Sequence, residues 1–175
     1  MIYKEEALLQ DWDLTQIING KEIMSQSPKI RHQKISKKLN RIIENFVERE
    51  ELGEVYYAPL DVIFEENINR VQPDLIFISK DNLGIAGEDW IRGTPELLVE
   101  IVSKNSFHLD TIEKKQLYEK FGVKEYWIIL PEYDNIEIYF LRDGRFELFS
   151  SASGTEVIES RLLAGLHFQA DFLFS

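Results

Sequence analysis

At 175 residues the chain has the length of one domain, 1–175, and with no cysteine it can hold neither disulfides nor thiolate metal sites. A net charge of −11 and a pI near 4.8 argue against nucleic-acid binding through a broadly basic surface, unless a metal ion or a local basic patch offsets the charge. No stretch approaches the ~20 apolar residues of a membrane span, so a soluble cytoplasmic protein without membrane contact is expected.

Residues 1–13 read as a short amphipathic lead-in without the basic start and apolar run of a signal peptide. Ile17 to Ile23 reads as two strand pieces around an Asn19-Gly20 turn, a strong hairpin signal. After a loop at Ser25–Pro28, helical periodicity runs from about Lys29 to Glu50, with Ile35, Leu39, Ile42, Ile43 and Phe46 on one stripe. The opposite face carries Lys34, Lys37, Lys38 and Arg41, the densest basic cluster, read as a solvated face or as phosphate contacts. His32, at the start of this helix, reads as a capping or surface group.

Gly53 ends the helix. Val55–Phe64 reads as one strand with a bend at Pro59, and Leu75–Ser79 as a strand apolar on both faces. Lys80–Gly93 is a loop holding Trp90, which can pack or touch substrate. Leu97–Val102 is a second doubly apolar strand, with Glu100 at its centre. An ionised carboxylate there costs several kcal/mol unless something pairs with it.

The next helix offers the pairing. Leu117, Tyr118 and Phe121 set its apolar stripe, and counting back from Tyr118 by fours reaches Lys114 and Asp110. Ile112 does not fit this stripe. Gly122 stops the helix, and Tyr126–Leu130 is a further buried strand. The crossover places strands 97–102 and 126–130 parallel. Ile136–Leu141 and Arg145–Phe149 flank an Asp143-Gly144 turn. Ser150–Thr155 reads as a polar loop, and Leu162–Phe174 as an apolar closing segment that ends in a short helix. The element order gives a mixed α/β (α+β) fold with a central sheet.

Asp74 enters one buried strand and Glu100 sits in another. If the strands are neighbours, the two carboxylates can share a site, and they repel unless a divalent cation holds them. Oxygen-only ligation with open positions suits Mg²⁺ or Mn²⁺, which lowers the pKa of a bound water and neutralises phosphoryl charge. Lys114 can orient that water or stabilise the anionic transition state. Each residue also has a plainer reading: Glu100 as a structural acid paired with Lys114, Asp74 and Asp61 as turn residues, Asp110 as a helical ion-pair partner, Tyr118 and Tyr126 as core.

Several strings carry a family likeness: Ala58-Pro59-Leu60-Asp61-Val62, Gln72 to Phe77, Pro95 to Ser103, Asp110 with Lys114 and Tyr118, and Gly122 to Trp127. Together with Asn19-Gly20 and His32 they resemble the Uma-two family of restriction endonucleases, within the PD-(D/E)XK nuclease superfamily. The likeness spans roughly the whole chain. It implies a restriction-endonuclease-like fold, a mixed central sheet flanked by helices, and Mg²⁺-dependent cleavage of DNA. Asp74 and Glu100 would be the metal ligands and Asp74, Glu100 and Lys114 the catalytic set, with Asp110 and Gln16 in support. In the superfamily pattern a lysine stands two residues after the acid, where this chain has Val102, and Lys114 on the following helix would replace it. Gln16 stands where the family usually has glutamate, and could coordinate through its carbonyl oxygen.

The charge of −11, Val102 and Gln16 also fit a second reading, a catalytically weak or inactive relative that binds nucleic acid or a protein partner. A purely structural module leaves Glu100 without a reason. Apolar residues near Tyr56 and on the last hairpin would suit a homodimer, and cutting two strands suits two copies.

Overall fold

The computed structural model describes residues 14–175, so the lead-in at 1–13 lies outside the described residues. Strands β1 (Thr15–Ile18) and β2 (Lys21–Met24) form the expected hairpin, with Ile18 opposite Lys21 across a two-residue turn. Asn19 and Gly20 take φ of 50° and 75°, the left-handed pair that such a turn requires. Helix α1 (Ile30–Arg49) buries Ile35, Leu39, Ile43, Phe46 and Val47, the apolar stripe of its sequence.

The region 55–64 is two strands rather than one. β3 (Gly53–Tyr57) and β4 (Val62–Glu65) belong to different sheets, and the chain passes between them through Pro59, which has no N–H to give a ladder. β5 (Asn69–Val71) and β6 (Leu75–Ser79) follow. The expected loop at 80–93 contains a 3-10 turn (Lys80–Ile85) and a short strand, β7 (Ile91–Arg92), parallel to β4.

β8 (Leu97–Ile101) leads through a loop to a π-helical turn (Leu109–Lys114), which runs into α2 (Lys115–Phe121). The wide turn explains Ile112, which points to solvent while Asp110 and Lys114 are buried. β9 (Glu125–Leu130) is parallel to β8, as the crossover predicted, and β10 (Asn135–Arg142) returns antiparallel.

β11 (Arg145–Ser153) extends through the stretch read as a polar loop. Its serines pair with Asn135–Ile138 past a bulge, and they are polar because this is the sheet's outer strand. The closing segment is a small hairpin, β12 (Val157–Glu159) with β13 (His167–Gln169), and a short α3 (Asp171–Phe174).

The central sheet runs β11-β10-β9-β8-β6-β3, and a second sheet runs β2-β1-β5-β4-β7. Strand alternation sorts the buried side chains onto two faces. Leu75, Phe77, Leu97, Val99, Ile101, Trp127 and Ile129 pack with α1. Ile76, Ile78, Leu98, Tyr126 and Ile128 pack with Leu117 and Tyr118 of α2 and with Ile18, Val62 and Val71 of the second sheet. Glu100 lies in register with Leu98, and so faces α2.

Candidate active site

β6 pairs antiparallel with β8, Leu75 opposite Val99, and one more step of that register sets Asp74 opposite Glu100. The two acids are therefore on neighbouring strands. The Asp74 amide donates to Val99 O at 3.0 Å. Its carboxylate Oδ2 accepts from the Ile101 amide at 2.7 Å. Both bonds tie Asp74 to the stretch of β8 that carries Glu100.

Glu100 takes two donors on one oxygen. Lys114 Nζ is 2.9 Å and Tyr118 OH 2.7 Å from Oε1. Lys114 also lies 3.3 Å from Asp110 Oδ1, four residues earlier. Glu100, Asp110 and Lys114 are only 4%, 3% and 2% exposed, so water screens these charges little. The π-helical turn fixes Asp110: its amide donates to Ser106 O at 2.8 Å, and its carbonyl accepts from Tyr126 OH at 2.8 Å.

One ammonium is shared between two carboxylates, with Asp74 nearby. Burial pushes Glu100 up to about 8; the Lys114 charge pulls it down, and Asp110 and Asp74 push it up further. Asp110 is also raised by burial, against the pull of Lys114 and a hydrogen bond from Ser106. For Lys114, burial works against the charge, but Glu100 and Asp110 outweigh it and raise the pKa. The shared lysine thus keeps its proton while each acid is incompletely compensated. Burial and the Glu100 charge hold the Tyr118 phenol well above its ordinary value, so it acts as a donor.

His32 belongs to this site. Its Nε2 is 3.1 Å from Asp74 Oδ1. Burial lowers the imidazole pKa, but the hydrogen bond and charge of Asp74 outweigh burial and raise it. The available signal was periodicity: His32 lies three residues before Ile35 and seven before Leu39, on the buried stripe of α1. Tyr118, read as core, is core with its hydroxyl aimed at the acid.

Gln16 is placed differently from a free ligand. Its Nε2 donates to Ser25 Oγ at 2.6 Å and its Oε1 accepts from the Gln72 amide at 3.0 Å. Gln72 Nε2 in turn donates to Asp61 Oδ1 at 2.9 Å. Gln16 and Asp61 thus brace the segment leading to Pro73-Asp74. Val102, at the vacated lysine position, is buried. Trp90 is exposed just before β7, with the Arg92 guanidinium 5.8 Å from its ring centre. On α1, Lys38 donates to Phe172 O at 2.8 Å, while Lys34, Lys37 and Arg41 are exposed.

The family model described as "Putative restriction endonuclease", Uma2, matches residues 6–171. The chain belongs to the Uma2 family. A crystal structure of a "putative nuclease belonging to DUF820" from Anabaena variabilis ATCC 29413 resembles it, with a TM-score of 0.77 at 19% identity, covering 97% of this chain and 95% of that one. The Uma2 chain therefore has the expected mixed α+β, restriction-endonuclease-like fold. Comparison with curated proteins gave no match. No helix among the described residues is long and apolar enough to cross a membrane.

The donor set of this Uma2 site fits a hard divalent cation. It offers carboxylate oxygens with more negative charge than Lys114 offsets; burial is the main push on Glu100, and Asp110 and Asp74 add to it. Among the described residues no group of three or more His, Asp or Glu is arranged as a metal cage. Mg²⁺ is ordinarily held by one or two carboxylates, with waters and phosphate oxygens completing the shell, and Asp74 and Glu100 are the two carboxylates this site would offer it.

Proposed function

We propose that this chain is a metal-dependent endonuclease that hydrolyses DNA phosphodiester bonds. The observation that carries the reading is the 2.9 Å contact between Lys114 Nζ, delivered from the helical segment, and Glu100 Oε1 on the central strand. It restores the acid–lysine pair that Val102 interrupts in the linear sequence.

Asp74 and Glu100 would hold Mg²⁺ or Mn²⁺, which supplies a bound water of lowered pKa and neutralises phosphoryl charge. Lys114 keeps its proton and would bring positive charge to the phosphoryl oxygens while an attacking water, giving up a proton to solvent, bonds to phosphorus and one P–O ester bond breaks. The leaving oxygen takes a proton from water. Tyr118 holds Glu100 through Oε1, and His32 holds Asp74 through Oδ1. Asp110 keeps Lys114 charged and in place.

The test is incubation of the protein with plasmid and with single-stranded DNA, in Mg²⁺, in Mn²⁺ and in chelator. Cleavage that requires metal and disappears in Glu100→Ala and Lys114→Ala, with the fold retained, supports the reading. The near-complete burial of Glu100, Asp110 and Lys114 favours a second reading, a catalytically weak relative that binds nucleic acid or protein. DNA binding without cleavage under any metal would select it, and an absence of metal binding by calorimetry would remove the metal site.

A further inference from the structure

Next to the acids lies a cleft of about 360 Å³, within the ~300–1,000 Å³ range of small-ligand sites. It opens where the parallel strands β8 and β9 end. Val102 forms its inner wall, anchored by its amide to Ile129 O at 2.9 Å. Glu100 is two residues back on the same face of the strand, about 7 Å away. The cleft and the acids therefore share one wall.

Its rims are aromatic. Phe107 and Tyr133 are 46% and 70% exposed, and neither makes a ring contact among the described residues. Both rims are already tied down. Ser103 and Ser106 cross-bond, each amide donating to the other's Oγ at 2.9 and 3.2 Å, and the Tyr133 amide donates to Leu130 O at 3.1 Å. Occupying such a site costs little ordering.

The charges in the cleft cancel. Lys104 Nζ lies 3.4 Å from Glu132 Oε2. A phosphate would meet the carboxylate as well as the amine. A planar, uncharged ligand with a hydrogen-bonding edge meets a donor, an acceptor and two exposed rings. A nucleobase has that chemistry: rings stack on any base, and lysine and glutamate recognise base edges.

We propose that this cleft receives one unpaired nucleobase beside the scissile phosphate, so that the enzyme acts where a base has left the stack. The proposal rests on the nuclease reading above and names its substrate class.

The experiment is fluorescence anisotropy with the full chain, in chelator and in Ca²⁺. Two labelled duplexes differ at one position: one carries a single bulged adenine, the other an abasic residue there. The bulged base is expected to bind about tenfold more tightly. Phe107→Ala with Tyr133→Ala removes that gap and leaves abasic-duplex affinity unchanged. Tyr133→Ala alone, at the more exposed position, narrows it, and a melting curve for each variant shows that the fold is kept. Equal affinities in the unsubstituted protein, or a gap that survives both substitutions, overturn the proposal. If equal affinities accompany metal-dependent plasmid cleavage, only the cleft assignment fails. If no duplex binds in either condition, the nuclease reading falls with it.

Discussion

Lys114→Met tests the electrostatics of the site directly. The substitution keeps most of the buried stem and removes the ammonium that lies 2.9 Å from Glu100 and 3.3 Å from Asp110. All three groups are shielded from solvent, so the loss is that of a broken buried pair, about 3–5 kcal/mol. For a chain of this size that lowers Tm by roughly 6–20 °C. The loss depends on pH in a defined direction. Glu100 is raised in the folded state from 4.5 to about 8, so its contribution to stability is complete below 4.5 and is lost as pH rises through 8. The raised pKa of Lys114 stabilises the fold at every pH below 10.5, and the variant forfeits that contribution. Near pH 5.5 a protonated Glu100 leaves less charge stranded, and the penalty is smaller than at pH 8.5. Thermal melts at both pH values measure it. Adding Glu100→Gln to Lys114→Met should recover part of the loss, since Glu100 is then no longer an unpaired acid while Asp110 still is. A Lys114→Met protein that melts within about 1 °C of the unsubstituted one at both pH values would refute the buried-pair argument.

Glu100→Gln alone should flatten the decline in stability between pH 4.5 and 8 and abolish metal-dependent cleavage, as read by melts across that range and by plasmid nicking. His32→Ala should reduce metal affinity or cleavage about 10–100-fold by releasing Asp74, and His32→Gln, which keeps a donor, should restore part of it; calorimetry with Mn²⁺ separates this from unfolding. Glu125→Ala should cost at least ~3 kcal/mol in urea unfolding, because it strands the Trp127 indole N–H, the Ser160 hydroxyl and the amides of Arg161 and Leu162. Gly53→Ala should destabilise by about 1–3 kcal/mol, since a Cβ would sit 2.0 Å from Ile78 O and 2.8 Å from Ser79 Cα, where only backbone can yield.

Glu125 marks a limit of pattern reading. At the start of a buried strand it looks like any flanking acid, yet it is fully buried and binds a segment some 35 residues later. Nothing local announces that partner. The same holds for β3 and β4: the chain between Tyr57 and Val62 carries a proline, but which sheet each half joins depends on β6 and β7. The polar serines of β11 read as loop because an outer strand needs no apolar alternation.

What the sequence determined by itself was whatever depends on short-range geometry. Two-residue turns at Asn19-Gly20 and Asp143-Gly144 follow from the positive φ that such turns need. The facing of Lys114 and Asp110 follows from helical spacing, and the parallel crossover from strand–helix–strand order. His32 was equally within reach, on the same stripe as Ile35 and Leu39. The tertiary structure decided the pairings across the sheet: that Asp74 stands opposite Glu100, that His32 reaches Asp74 from the helix on the other face, and that Gln16 spends its amide on Ser25 and Gln72. Apart from Gln16 with Ser25, which the first hairpin brings together, those contacts join residues far apart in the chain, and strand order, register and the docking of α1, which no local pattern encodes, set them.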